Sequence, residues 1–378
     1  MVRLAVHDVS VDLDGRRVLD DVAFDLADGT FAAVVGPSGS GKSTVLRVLA
    51  GLVEQRTGRV LFDGHDVSTV EPGRRGIGMV FQAPALFPNR NVRRNVSFPL
   101  EMRRETAASI GTRVEAETRA MHIEHLLSRE PTELSRGEQQ MVQIARTMVR
   151  APRVLLLDEP FAPLDAHLRR TMRAEIKLLQ EGYGVTTLVA TNDPDDLGIL
   201  ADHVVVLGPA ADGASITAAS PPRPVGGGLH DGPSTVVQSG PRSEIAAEPF
   251  SLDVATSVGH LTTLRARIEV ESGAAWIVTP SGSVRLRSWA VSSLDRRGDE
   301  VIVGVRAGEL AARPSGGIVA TFERRVPGSP EPLLCRLDGR LVTATDGDVR
   351  RDHERGTPIR LDARAWSLFD PLTGRRIT

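Results

Sequence analysis

Residues 36–44 read Gly36-Pro37-Ser38-Gly39-Ser40-Gly41-Lys42-Ser43-Thr44. Glycines at 36, 39 and 41 let backbone N–H groups turn toward one point. A helix N-terminus opening there adds its dipole, and the two together cradle phosphate anions. Lysine and a hydroxyl closing the run complete the phosphate-loop pattern, in which Lys42 reaches the β- and γ-phosphates and Ser43 a Mg²⁺ ion. A second run, Val154-Leu-Leu-Leu-Asp158-Glu159-Pro160, ends an apolar stretch in two acids. In such chemistry Asp158 holds the cation through water and Glu159 polarises an attacking water. Either run alone has a plainer reading, an inert glycine turn or an acidic turn. Both together, in strand-to-helix context, favour phosphate chemistry.

These residues need a scaffold. Phe31-Ala-Ala-Val-Val35, Val154–Leu157, Thr186-Thr-Leu-Val-Ala190 and His203-Val-Val-Val-Leu207 are continuous apolar runs separated by helical stretches, among them Ser43–Gly51. That alternation predicts a parallel sheet covered on both faces. Leu100–Val149 is charged and mostly helical, an insert in that domain. Pro209–Pro233 is rich in Gly, Ala, Ser and Pro and reads as a flexible linker. Beyond Leu261 come short alternating segments: Leu264–Ile268, Ser283–Arg287, Val301–Val305, Leu333–Leu337 and Pro358–Leu361. They predict a small β-barrel or sandwich. The expected plan is an α/β nucleotide-binding domain over 1–208 with a helical subdomain at about 86–150. A linker over 209–233 and an all-β domain over 234–378 follow.

The chain has 378 residues, 41% of them hydrophobic, and a formal net charge of −2. Near-neutrality gives no electrostatic case for nucleic acid as a partner. The single cysteine, Cys335, cannot form an internal disulfide and fits a reducing cytosol. The acidic start lacks the apolar core of a signal peptide. No run approaches the roughly 20 apolar residues of a membrane-spanning helix.

With these motifs in place, the chain resembles the ATP-binding subunits of ABC importers, of the carbohydrate-importer type with a C-terminal OB-like regulatory barrel. Met79-Val-Phe-Gln82 looks like the Q-loop, Leu134-Ser-Arg-Gly-Glu-Gln-Gln140 stands at the signature sequence, and Leu164-Asp165 matches the D-loop. Val305-Arg306 and Trp366–Phe369 resemble strand ends of the C-terminal barrel, and Ser234–Gly240 the strand leading into it. The resemblance implies ATP and Mg²⁺, with Ser43, Gln82 and Asp158 at the metal. It implies Glu159, Gln82 and Asn192 in hydrolysis and the loop 36–44 on the phosphates. Leu13 would lie by the adenine, and Ser135 and Gly137 would face ATP held by a second subunit. It further implies a head-to-tail dimer on the cytoplasmic face of the membrane. Transmembrane permease subunits would seat in a groove formed by 83–100, and a solute-binding protein would act indirectly. A homodimer is the commoner arrangement, and pairing with a second ATPase subunit stays open.

Four positions depart from the family pattern. Leu13 replaces an aromatic, Arg136 the first signature glycine, Glu138 a glutamine and Asn192 the histidine that contacts the γ-phosphate. Ser135-x-x-Glu138 is also a capping box for the helix that follows. The departures favour an alternative reading, a regulatory subunit that binds ATP but barely hydrolyses it. Intact Lys42, Ser43, Asp158 and Glu159 oppose that alternative. One phosphate loop, no heptad run and no basic tail disfavour a soluble protein of this family acting on ribosomes or DNA. His122, His125 and His167 read as solvated helix residues, Asn89–Arg94 as a solvated basic face, and Trp276, Trp289 and Trp366 as β-domain core. Related ATPases also serve polyamines, phosphate esters, metals and oxyanions, so the solute is not legible.

Overall fold

The computed structural model describes residues 2–209, 232–259, 261–271, 274–285, 300–306, 309–313, 317–325, 333–337, 340–345, 354–363, 366–371 and 374–377. It divides into two compact units, Met1–Ile245 and Ala246–Thr378.

The first unit runs β1 (Leu4–Leu13), β2 (Arg16–Leu26), β3 (Phe31–Val35), α1 (Lys42–Ala50), β4 (Thr57–Phe62), β5 (His65–Asp66) and β6 (Ile77–Val80). Then come α2 (Val92–Met102), α3 (Ala107–Ala120), α4 (Arg136–Met148), β7 (Val154–Asp158), α5 (Ala166–Tyr183), β8 (Thr186–Ala190), α6 (Pro194–Leu200), β9 (His203–Pro209) and β10 (Ser234–Pro241). The ten strands form one sheet in the order β5-β4-β1-β2-β10-β9-β3-β8-β7-β6. Strands β3, β7 and β8 are buried at every residue, as strands covered on both faces must be.

Four neighbouring parallel strands decide where the chemistry sits. Val34 pairs with Ala190, Ala190 with Asp158, and Leu157 with Val80. The carboxyl ends of β3, β8, β7 and β6 therefore fall in one row. Beyond them lie Gly36, Asn192, Glu159 and Gln82. Ligand sites of open α/β sheets occur at this edge. The other half of the sheet is largely antiparallel, β1 pairing with β2 and β4. Its valines and leucines join α1 in a core that includes Leu4, Leu19, Leu46 and Leu49.

Strand β10 changes the expected domain boundary. Ser234–Pro241 pairs antiparallel with β9, from Ser234↔Pro209 to Pro241↔His203, and touches β2 at Leu19. It satisfies a β9 edge that would otherwise expose unpaired backbone groups. The second compact unit thus begins at Ala246 rather than at 234, and a short helix, Leu252–Ser257, precedes its strands. Most of the expected linker, 210–231, lies outside the described residues, as does Trp289.

The second unit holds two sheets. Leu261–Glu271, Ala274–Thr279, Gly282–Arg285, Glu300–Arg306, Ser367–Phe369 and Arg376–Ile377 make the first. Leu310–Arg313, Ile318–Arg325, Leu333–Leu337, Arg340–Ala344 and Pro358–Ala363 make the second. A bridge from Ala311 to Thr345 joins the edges of the five-stranded sheet, with Ala312 N donating to Thr345 O at 3.1 Å. That bridge nearly closes the sheet into a barrel. Cys335 is fully buried within the barrel's core, and burial pushes its thiol up to about 11. Trp366 packs on the same core. Among the described residues no helix is long and apolar enough to cross a membrane.

Candidate functional site

The loop after β3 turns in a way that side chains forbid. Gly36 and Gly41 have φ of +148° and +83°. A Cβ on Gly36 would lie 2.5 Å from Leu207 O, and one on Gly41 2.6 Å from Leu19 Cδ2. Residues 37–39 at the crown are exposed, whereas Ser40, Lys42 and Thr44 are buried beneath it. No side chain caps α1, whose N-cap is Gly41. The helix thus offers its first N–H groups to a ligand. The buried Ser40 Oγ has no hydrogen-bond partner, an orphan a phosphate oxygen would satisfy.

Lys42 lies under this crown. Its Nζ donates to Gly36 O and Pro37 O, both at 2.9 Å. Burial pushes the ammonium below its ordinary value, against the pull of Glu159 and Asp158. Ser43 Oγ donates to Asp158 Oδ1 at 2.7 Å, so β7 is tied to the first turn of α1.

Glu159 occupies a left-handed backbone conformation, with φ +44°. Non-glycine residues hold such angles only where surroundings impose them, commonly at functional sites. Here Glu159 N donates to Ala190 O at 2.9 Å, anchoring the residue to β8. Each carboxylate oxygen then receives one amide. Gln82 Nε2 donates to Oε2 at 2.8 Å, and Asn192 Nδ2 to Oε1 at 2.7 Å. A cavity of about 420 Å³ opens beside this clamp, lined by Glu159, Phe161, Thr191, Asn192, Asp193 and Asp196, among others. Three of the four strand ends in the row thus converge on one carboxylate flanked by two neutral amide donors.

The structure brings Lys42, Ser43, Gln82, Asp158, Glu159 and Asn192 together. Ser135 and Gly137 belong to a separate group at the start of α4. Glu138 N donates to Ser135 Oγ at 3.3 Å, and Ser135 N donates to Glu138 Oε2 at 2.7 Å. The capping box is therefore formed. Burial raises the Glu138 carboxyl, but its bonds to Ser135 outweigh that and hold it below the usual range. Gly137 faces α5 and the D-loop, where a Cβ would lie 3.2 Å from Leu164 Cδ2. Leu13 is half-buried at the end of β1 and packs on the main core.

Sequence reasoning missed the residues that hold the loop after β6. Fully buried Asn95 donates to Phe87 O at 3.1 Å and accepts from Phe87 N at 2.8 Å. From α4, Gln143 Oε1 accepts from Ala85 N at 2.8 Å, and Arg146 Nη2 donates to Ala85 O at 2.6 Å. Only helix packing brings these side chains to residues 81–91, so no local signal announces them.

A sequence profile described as "ABC transporter" matches residues 19–162. The sn-glycerol-3-phosphate import ATP-binding protein of Cereibacter sphaeroides is 34% identical over 387 residues, covering 100% of each chain. The glucose import ATP-binding protein of Saccharolobus solfataricus is 37% identical over 313 residues, covering 81% of this chain and 78% of its own. Among solved structures, cbiO1 of an ABC transporter complex from Clostridium perfringens superposes with a TM-score of 0.54 at 29% identity. It covers 65% of this chain and 90% of that one.

Proposed function

The chain belongs to the ABC transporter family as an ATP-hydrolysing subunit, and on that premise we propose that it powers import of a carbohydrate or glycerol phosphate through separate transmembrane permease subunits. The solute class follows two of its relatives, named for sn-glycerol-3-phosphate and glucose import; others at 30–36% identity are named for spermidine/putrescine import. The observation that carries the hydrolytic reading is the Glu159 carboxylate held by Gln82 and Asn192.

In this reading the loop from Gly36 to Thr44 cradles the phosphates, and Lys42 turns its donors from Gly36 and Pro37 to the β- and γ-phosphates. The Ser43 hydroxyl and the Asp158 carboxylate, with the Gln82 amide, would hold Mg²⁺. Among the described residues no three His, Cys, Asp or Glu cluster as a closed metal site. So sparse a set of oxygen donors suits a cation that keeps waters and phosphate oxygens in its shell. When bound, that ion neutralises phosphate charge. Glu159 takes a proton from water as the water oxygen bonds to the γ-phosphorus. The bond from that phosphorus to the bridging oxygen breaks, and its electron pair leaves with ADP. Gln82 and Asn192 keep the carboxylate in place for this step.

The same reading gives a head-to-tail homodimer on the cytoplasmic face of the membrane. There Ser135 and Gly137 of one copy close on ATP held by the other, and Leu13 meets the adenine. A permease helix docks by residues 83–100, where Phe87 and Phe98 meet edge to face at 4.6 Å. A solute-binding protein acts through the permease. The test is Mg²⁺-dependent ATP turnover across protein concentrations, beside Glu159→Gln. Turnover rising more than linearly with protein and falling about 100-fold or more in the variant is expected. Linear turnover that survives Glu159→Gln would overturn both dimer and base.

A further inference from the structure

Asn192 is fixed from behind. Thr191 Oγ1 donates to Asp196 Oδ2, and Asp193 N donates to Thr191 Oγ1 at 3.0 Å. Both acids converge on Arg173 of α5. Arg173 Nε donates to Asp196 Oδ1 at 2.5 Å and Nη2 to Asp193 Oδ2 at 2.6 Å. Arg173 is 5% exposed and Asp196 2%. The guanidinium also lies 5.9 Å from the ring centroid of Phe161, two residues beyond Glu159. A single buried cation thus grips the segment that follows Asn192 and rests on the segment that follows Glu159.

Stability alone does not account for this arrangement. A buried ion pair often contributes no more than apolar side chains of the same volume, because desolvating the charges offsets their attraction. What a planar, bidentate guanidinium supplies beyond that is geometry. Asp193 also accepts from Arg169 Nη1 at 3.2 Å, and Arg169 Nη2 donates to Leu164 O at 3.0 Å. The D-loop is therefore tied to the same acid. We propose that Arg173 is a positioning residue for hydrolysis: gripping Asp193 and Asp196 while resting on Phe161, it sets the distance at which the Asn192 amide holds Glu159. The proposal rests on the reading of Glu159 as the base.

The test is a double-mutant cycle on kcat with Arg173→Lys, Asn192→Ala and the pair. Lysine keeps the charge and loses the fork. The expectation is a fall in kcat of about tenfold with KM for ATP changed less than about twofold, and almost no further fall once Asn192 is alanine. Equal losses in both backgrounds, or a loss confined to KM, would make Arg173 a strut of the fold and overturn the proposal. Should Arg173→Lys fold poorly, Asp193→Asn serves instead, since asparagine also caps α6. The same split between kcat and KM is expected of it. Hydrogen exchange supplies a readout that needs no turnover. Amides of 190–197 should exchange faster in Arg173→Lys while those of β3 and α1 stay as in wild type. Unchanged exchange at 190–197 would also refute the proposal. If Asn192→Ala leaves kcat at the wild-type value, the clamp on Glu159 fails as a mechanism, and exchange still judges whether Arg173 places Asn192.

Discussion

Asn192 and Glu159 meet through one hydrogen bond, Nδ2 to Oε1 at 2.7 Å. A carboxamide has no proton to gain or lose near neutrality. With the histidine of the family pattern absent, kcat should be flat between roughly pH 6 and 8, and Asn192→His should add a decline below about pH 6.5 as an imidazolium forms against the carboxylate. Profiles of kcat against pH for both proteins check this. An inflection near 6.5 in the wild type would refute it.

In the proposed site Leu13 would offer adenine an aliphatic face where the family pattern has a ring. Base–aromatic stacking is worth about 1–3 kcal/mol, so Leu13→Tyr should lower the Kd for ATP by roughly fivefold or more. Equilibrium binding of a fluorescent ATP analogue reads the difference. Unchanged affinity would remove residue 13 from the nucleotide site.

Ser135 and Glu138 cap α4 reciprocally. Ser135→Ala should reduce stability by about 1 kcal/mol. The Glu138 carboxyl is held below its usual value when folded, so its contribution is present above the ordinary 4.5 and is lost as pH falls through the folded value. The Tm deficit of Glu138→Gln should therefore be largest near neutrality and shrink in acid, as thermal melts across pH would report.

Tyr183 Oη donates to Glu117 Oε1 at 2.6 Å, while Glu117 Oε2 is buried without a partner. Burial pushes the Glu117 carboxyl up, against the Tyr183 hydrogen bond and Arg113. The Tyr183 hydroxyl is raised to about 12, by burial first and then by Glu117. A raised acid favours the folded state below its unfolded value of 4.5, and that favour is lost as pH rises through the folded value. Glu117→Gln keeps an acceptor for Tyr183 and removes the buried charge. Its Tm should exceed wild type at pH 8, with the gap closing toward pH 4.5. Tyr183→Phe should lower stability by about 1 kcal/mol.

What was legible in the sequence was local. The loop 36–44 and the pair Asp158–Glu159 are consecutive residues whose meaning needs no partner. Strands β3, β7 and β8 announce themselves as unbroken apolar runs. Ser234–Gly240 was rightly a strand, yet nothing local says which sheet it joins, and β9 took it. Strands β1 and β2 escaped notice because acids interrupt their apolar alternation, as in Arg16–Leu26 with Asp20, Asp21 and Asp25. The network of Arg173, Asp193 and Asp196 was invisible because it depends on how α5 packs beside the end of β8. The amides of Gln82 and Asn192 were each placed near phosphate by resemblance. Their meeting on opposite oxygens of one carboxylate is a matter of strand register.

The pairing of Ser234 with Pro209 fixes where the chain leaves the nucleotide-binding sheet and where it returns. Because Pro209 and Ser234 face each other in adjacent strands, the chain leaves this sheet at β9 and rejoins it at β10. Lengthening a closed loop is thermodynamically cheap, about 0.6 kcal/mol per doubling. An affinity handle inserted between Pro209 and Ser234 should therefore leave the nucleotide-binding sheet paired.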